Sequence, residues 1–322
     1  LIDKKVSVII PCYNEQDNII NMYKRLTKSL KTVTENYELL FINNGSKDNS
    51  NEIFEEIAKK DARVFIIELS RNFGSSQPAY TCGLEYATGD CAVMLDGDIQ
   101  DPPEMIPSFV NKWLEGYDIV YGERTRRKGS ILRRIGYKAF YRLFNKLSYI
   151  DMPLDAGDFS LIDRKVIDAI NLLPEKNRFI RGLRAWVGFT SIGVGYTRAD
   201  REAGETSNSF LDNIKWAKMG IFSFSYSPLE LISNLAFFTT VAAFIGIIVY
   251  ILSYILYPGT PRGISTLIVV ILFLGAMQLL CLSIIGEYIG KIFEETKSRP
   301  KYIVKRVVNK NKSNIEKIGK DI

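Results

Sequence analysis

Residues 92–104 read AVMLDGDIQDPPE. An apolar run from Ala92 to Leu95 meets two carboxylates, Asp96 and Asp98, with Gly97 between them, and the pair Pro102–Pro103 closes the segment. Such a run reads as a buried strand that opens straight into a charged loop. The same alternation extends on both sides. VSVIIP (6–11), YELLFIN (37–43), RVFIIEL (63–69), CAVML (91–95) and YDIVYG (117–122) read as strands. Helical patterns separate them at 15–32, 49–60, 76–88 and 103–115. Alternating strands and helices argue for βαβ units in an α/β domain with a largely parallel sheet. Ligands of such sheets bind at the carboxyl ends of the strands. PCYNE (11–15), NNGSKD (43–48) and DGD (96–98) all fall there.

Composition narrows the chemistry. The 322 residues carry 42 Lys and Arg against 36 Asp and Glu, a formal charge of +6, too mild to suggest a nucleic-acid partner. Histidine is absent, which removes the commonest general base and metal ligand and every Ser-His or Cys-His nucleophile. Any metal must then be a hard cation held by oxygen, Mg²⁺ or Mn²⁺. The four cysteines, Cys12, Cys82, Cys91 and Cys281, lack the close spacing of a zinc or redox pair. Lys4 and Lys5 lead into a short strand, so no signal peptide is expected at this end.

Near residue 228 the chain changes character. Leu231–Leu256 and Ile264–Gly286 are uncharged runs of 26 and 23 residues, each beyond the ~20 that cross a bilayer. The connector YPGTPRG holds one charge, Arg262, whereas residues 291–322 hold ten Lys and Arg. The positive-inside rule puts that tail, and with two spans the N-terminal domain, in the cytoplasm. Phe210, Ile214, Ala217 and Ile221 share one face of a helical pattern, with Lys215 and Lys218 off it and Trp216 as an aromatic anchor. This is expected to be an interfacial helix on the headgroups, although packing on the soluble domain would produce the same pattern. Gly286 and Gly290 offer a small-residue contact face between copies, or serve only local packing.

Asp96 and Asp98 are costly side by side unless they meet a cation, which in turn offers charge to a phosphate. Gln100 adds an oxygen ligand. Asp and Gly are also ordinary turn formers, so the triplet alone decides nothing. Asn14 is a candidate N-cap at a helix start that favours anions, and Tyr13 a candidate base-stacking ring. Asn43 and Asn44 are candidate hydrogen-bonders to a base. The basic run after YDIVYG, with Arg124, Arg126, Arg127, Lys128, Arg133, Arg134 and Lys138, is placed to grip a lipid phosphate or simply faces solvent. Asp155 and Asp158 are expected just before a short strand, and Arg201 in a flexible loop suited to closing over a diphosphate.

PCYNE, NNGSKDNS, LSRNFG, DGDIQDPPE, AGDFSLIDR, RFIRGLRAWVGF, REAGETS and IGEYIGKIFEE, in this order, resemble the polyprenyl-phosphate glycosyltransferases of family 2. The most similar subgroup is the bactoprenol (undecaprenyl-phosphate) glucosyltransferases, and the likeness reaches to about residue 303. It implies a GT-A catalytic domain over 1–206, an interfacial helix over 207–228, two transmembrane helices over 229–290 and a basic cytoplasmic tail over 291–322. The implied reaction moves glucose from UDP-glucose to undecaprenyl phosphate with inversion, at the bacterial cytoplasmic membrane, for envelope glycans such as O-antigen. A homotetramer and a flippase for the lipid-linked product belong to the same implication. Pro11, Tyr13, Glu15, Asn43, Asp96 and Arg201 are implied to hold the nucleotide-sugar. Asp96, Asp98 and Gln100 are implied to hold the metal, Arg124, Arg133 and Arg134 the acceptor phosphate, and Asp158 and Asp98 to be catalytic. Departures touch the sugar. Asn43 and Asn44 stand where Asp is frequent, Ser75 and Ser76 follow RNFG where relatives read Lys-Glu, and GETSN lacks a following Lys. N-acetylglucosamine, galactose, mannose and aminoarabinose therefore stay open, as does a non-catalytic nucleotide-binding membrane scaffold. A processive synthase is disfavoured, because no QxxRW-type motif occurs and only two spans do.

Overall fold

The computed structural model describes residues 1–124, 148–150, 153, 156–198, 222–256 and 264–309. Among the described residues, eight strands form one sheet. They are β1 (Val6–Cys12), β2 (Tyr37–Asn43), β3 (Val64–Leu69), β4 (Cys91–Met94), β5 (Ile119–Arg124), β6 (Ala156–Asp163), β7 (Ser191–Tyr196) and β8 (Val304–Val308). The order is β7-β5-β6-β4-β1-β2-β3-β8. β4, β1, β2 and β3 run parallel, as the apolar runs predict. β5 and β7 also pair in parallel, so six of these eight strands run one way, as expected of a largely parallel sheet, and β6 and β8 are the two reversed strands. β6 is antiparallel to both β4 and β5, and β8 is antiparallel to β3.

Helices cover both faces, which is why the central strands are apolar on both sides. α1 (Ile19–Leu30), α2 (Ser50–Lys60) and α4 (Ile106–Leu114) pack on one face with Val6, Val8 and Ile10. α3 (Gln77–Tyr86), α5 (Arg164–Leu172) and α6 (Ile180–Trp186) pack on the other with Ile9, Leu40 and Ile162. In α1 the buried residues Ile19, Met22, Leu26 and Leu30 repeat at helical spacing. This helix starts at Ile19, not at 15, and Asn14 is not its cap. Asn14 sits at φ +54, its Oδ1 accepting from Lys47 N–H at 2.8 Å and its own N–H donating to Ser46 Oγ at 3.0 Å. The β1–α1 and β2–α2 loops are thereby tied together. An Asn at positive φ tolerates that bend and so serves the loop instead of the helix.

α7 (Ser227–Leu256) and α8 (Ile264–Thr296) are each long and apolar enough to cross a bilayer. The start of α7 lies beside the end of α8. Tyr288 Oη donates to Ser225 O at 2.8 Å and Lys291 Nζ to Ser223 Oγ at 3.0 Å. The Glu295 carboxylate accepts from the backbone N–H groups of Lys176 and Asn177, so the end of α8 is joined to the sheet domain. The expected interfacial helix falls mostly on 199–221, and the connector on 257–263; both lie outside the described residues.

The expectation of 291–322 as a tail is corrected over its first part. α8 continues to Thr296, and residues 304–308 are the edge strand β8. Charge makes that pairing specific. Glu68 of β3, only 6% exposed, receives Lys305 Nζ at 2.7 Å and Arg306 Nε at 3.1 Å. Tyr302 donates to Glu85, and Asn309 Nδ2 to the carbonyls of Ala58 and Val64. Truncation after residue 300 is expected to bare the β3 edge and strand the Glu68 charge. Its measurable sign is a melting midpoint lower by several degrees in detergent, with Lys305→Ala/Arg306→Ala giving a smaller drop because both cations are half-exposed.

Candidate active site

The carboxyl ends of β1 and β4 meet at Gly97. Its N–H donates to Pro11 O at 3.2 Å, and a Cβ there would stand 2.8 Å from Cys12 Sγ and 2.9 Å from Pro11 O. Only glycine lets the two strand ends approach this closely. Gly97→Ala is expected to destabilise the domain by roughly 1–3 kcal/mol through overpacking, read as a shift of the denaturation midpoint. Beyond it Ile99 takes φ +60, and the bend turns Asp98 and Asp101 back toward Asp96.

The result is a carboxylate cluster. Tyr80 Oη, from α3, donates to Asp96 Oδ1 at 2.8 Å. Gln100 N–H donates to Asp98 Oδ1 at 3.2 Å. Asp101, 1% exposed, accepts from Tyr196 Oη, and its Oδ2 is buried without a partner. Burial, then the neighbouring charges of Asp98, Asp101 and Asp158, push the Asp96 carboxyl up to about 7. A third of the Asp96 side chain is still exposed, so solvent moderates that shift. The cation that these groups call for is here a guanidinium. Arg198 sits 4.0 Å from Asp96, 3.7 Å from Asp98 and 3.2 Å from Asp101.

Across the mouth of β6 lies the opposite charge. Asp158 is inside β6, not before it, and its Oδ2 is 3.1 Å from Arg181 Nη2. Burial alone would raise its pKa, but Arg181, Arg184 and Arg124 outweigh burial and hold it below the usual carboxylate range. Arg184 donates Nη2 to Gly157 O at 3.0 Å, and burial pushes its pKa down to about 10. Arg124 Nε donates to Tyr196 Oη at 3.3 Å. Tyr196 thus joins the arginine side of the site to Asp101.

Of the residues expected from sequence, Pro11, Tyr13, Glu15, Asp96, Asp98, Gln100, Arg124 and Asp158 lie along this one edge, at or just beyond the ends of β1, β4 and β5 and the start of β6. Tyr13, 39% exposed, stands at the rim. Glu15 Oε2 accepts from Asn18 Nδ2 at 2.6 Å. Asn43 is a correction. It is fully buried, donating Nδ2 to Asn51 Oδ1 at 2.6 Å and accepting from Ser46 N–H at 2.9 Å, so it shapes the loop and has no surface to offer a ligand. Asn44 likewise binds Ser75 O and Phe73 N–H. Arg133, Arg134 and Arg201 lie outside the described residues. Sequence reasoning missed Tyr80, Asp101, Arg181, Arg184 and Arg198. Asp101 had a signal, as the third carboxylate of the DGDIQD segment; the arginines had none beyond their type.

No group of three or more His, Cys, Asp or Glu side chains among the described residues converges as a metal cage. An oxygen pair with an orphaned buried carboxylate oxygen nearby still fits Mg²⁺ or Mn²⁺, which commonly take one or two carboxylates and fill their shell from substrate phosphates and water.

Residues 7–170 match the family described as Glycosyl transferase family 2. The chain is 44% identical over 301 residues to the uncharacterized glycosyltransferase YkcC of Bacillus subtilis, covering 93% of each chain. It is 39% identical over 304 residues to the prophage bactoprenol glucosyl transferase homolog of Escherichia coli, covering 94% of this chain and 99% of that one. It is 38% identical over 303 residues to the bactoprenol glucosyl transferase of Shigella phage SfII, covering 94% and 98%.

Proposed function

Because the chain belongs to glycosyl transferase family 2, we propose that this GT-A enzyme transfers a hexose, glucose from UDP-glucose, to the phosphate of undecaprenyl phosphate. The observation that carries the reading is the pairing of opposite charges on one strand edge. Asp96, Asp98 and Asp101 stand on one side, and Arg124, Arg181 and Arg184 surround Asp158 on the other. The first group suits a cation and a diphosphate; the second suits an anionic acceptor. Bactoprenol glucosyl transferases among the relatives support a glucosyl group as the part transferred and bactoprenol as the carrier.

The acceptor phosphate oxygen attacks the anomeric carbon and forms the new C–O bond. The bond from that carbon to the β-phosphate oxygen of UDP breaks, and its electron pair leaves with UDP. In-line attack inverts the anomeric centre. Asp96 and Asp98, with Gln100 beside them, would hold a Mg²⁺ or Mn²⁺, which would supply charge stabilisation to the leaving diphosphate. Arg198 is the chain's own cation at that place, and Arg201 is proposed to add to it. The acceptor needs no base, because a phosphate monoester with a second pKa near ~6 is largely dianionic at neutral pH.

α7 and α8 are proposed to span the bacterial cytoplasmic membrane, with the sheet domain and β8 both on the cytoplasmic side. The ten basic residues after 290 support this, and so does the sharing of one sheet by β3 and β8, since both ends of the helix pair must then lie on one side. A homotetramer through the open faces at Gly286 and Gly290, and a flippase acting on the product, belong to the same proposal, as does a role in envelope glycans. The test is an assay of the purified protein with undecaprenyl phosphate and labelled UDP-glucose, UDP-N-acetylglucosamine, UDP-galactose and GDP-mannose, followed by mass analysis of the lipid. Glucosyl phosphoryl undecaprenol is the expected product. Another hexose on the lipid would move the donor, and no lipid product with any donor would overturn the reading.

A further inference from the structure

Arg184 is 4% exposed, yet its Nη1 is buried with no partner. The neighbouring Asp158 Oδ1 is likewise buried and unpartnered. Buried charged groups are normally satisfied, because an unmade hydrogen bond there is expensive. A cleft opens beside them under α6, bounded by Tyr121, Pro153, Arg181, Arg184, Phe189 and Ser191. Two guanidinium groups share this lining with two aromatic rings and a proline. That combination suits an amphiphile, with an anion on the arginines and hydrocarbon against the rings.

Position points the same way. α6 is pressed against the segment that leads into α7. A Cβ on Gly182 would stand 2.3 Å from the Phe224 ring, so only glycine permits the contact. Phe224 lies three residues before Ser227, where α7 begins, and its carbonyl accepts from Tyr149 N–H at 3.1 Å. The cleft therefore lies under the helix that packs on the lead into the apolar helix α7, and it runs from Arg181, beside Asp158 near the start of β6, toward Ile119 and Ser191 at the opposite ends of β5 and β7.

We infer that this cleft receives the phosphate monoester of the lipid acceptor, with Arg181 and Arg184 as its direct ligands and Asp158 orienting Arg181. The inference rests on the glycosyl-transfer reading and adds the acceptor's seat, which falls on α6 and not only on the basic run after β5. Both guanidinium groups offer donors to a planar oxygen pair, while the dianion supplies the acceptor that Arg184 Nη1 lacks.

The experiment uses the full chain in nanodiscs. The KM for undecaprenyl phosphate is measured at saturating UDP-glucose, UDP-glucose binding is measured by calorimetry, and undecaprenyl phosphate retained by the protein is measured by native mass spectrometry. The variants are Arg181→Gln and Arg184→Lys. Each is expected to raise the lipid KM roughly tenfold to a hundredfold, to retain less lipid, and to leave UDP-glucose affinity within twofold. Inorganic phosphate is the second arm, and only weak competition with the lipid is expected. Loss of UDP-glucose affinity with an unchanged lipid KM would assign the arginines to the donor diphosphate and overturn the inference. Inorganic phosphate competing as tightly as the lipid would reduce the cleft to a free-phosphate site and overturn it as well. Arg181 is part-exposed, so Arg181→Gln decides the matter alone if Arg184→Lys fails to fold. If the wild type transfers no sugar, the parent reading falls, and lipid retention by wild type against Arg181→Gln still decides the inference.

Discussion

Asp98→Ala is expected to lower turnover by on the order of 10³ while leaving the protein folded. A metal bound at a reacting diphosphate supplies several kcal/mol of transition-state stabilisation, and each 1.36 kcal/mol is about tenfold in rate. Asp98 is the better buried of the two carboxylates proposed to hold that ion, with a side chain 10% exposed against 33% for Asp96. Gln100 N–H fixes its Oδ1, so its Oδ2 is presented in one direction. The fold should tolerate the loss. Removing one negative charge relieves repulsion at Asp96, and Arg198 keeps its contact with Asp101. The measurement is turnover against divalent-ion concentration, with circular dichroism and the melting midpoint as controls. A folded variant with an unchanged rate and unchanged metal dependence would sink the metal assignment.

Asp158→Asn is expected to lower turnover by roughly ten- to a hundredfold, in the range seen when a supporting carboxylate is removed, and to leave measurable activity. Two mechanisms compete. If Asp158 were a general base, its pKa would have to lie near the working pH. Arg181, Arg184 and Arg124 instead hold it below the usual carboxylate range, so it remains ionised and weakly basic at neutral pH. The acid limb of the pH–rate profile then belongs to the acceptor phosphate and should stay in place in the variant. A base mechanism requires the limb to move or vanish. Stability carries its own sign. A carboxylate with a depressed folded pKa contributes stability above its unfolded pKa, near ~3.9, and loses it as pH falls through the folded value. Wild type should therefore lose stability to acid more steeply than Asp158→Asn. A residual rate in Asp158→Asn that no longer depends on pH in the acid range would make Asp158 the base.

The Asp158 example also marks how far sequence carried. Its importance came from a motif, which named no partner for it. The partner in the structure is Arg181, 23 residues away on α6. No periodicity reports that pairing, because it depends on β6 running antiparallel to β4 and on α6 crossing the same end of the sheet. Asn43 shows the reverse error. Its position after β2 was read correctly, but an amide in a loop can serve the loop itself, and here it does.

Local pattern was enough for β1, β2 and β3, whose apolar runs must be buried on both faces, and for the two uncharged stretches that became α7 and α8. It placed Asp96 and Asp98 in the loop that opens at the end of β4, although the pattern alone left a plain turn and a cation site both open. Those readings use only neighbours in the chain, where burial and backbone period leave a direct mark on residue type. The closing contacts join distant segments. Tyr80 reaches Asp96 across 16 residues, Tyr196 reaches Asp101 across 95, and Lys305 reaches Glu68 across 237. Strand order decides which of many chemically similar Tyr, Arg and Lys side chains meets which carboxylate, and that order is set by packing of the whole domain. The edge strand β8 is the plainest case: a basic stretch has the composition of a solvated tail, and only the open edge of β3, with Glu68 on it, makes it a strand.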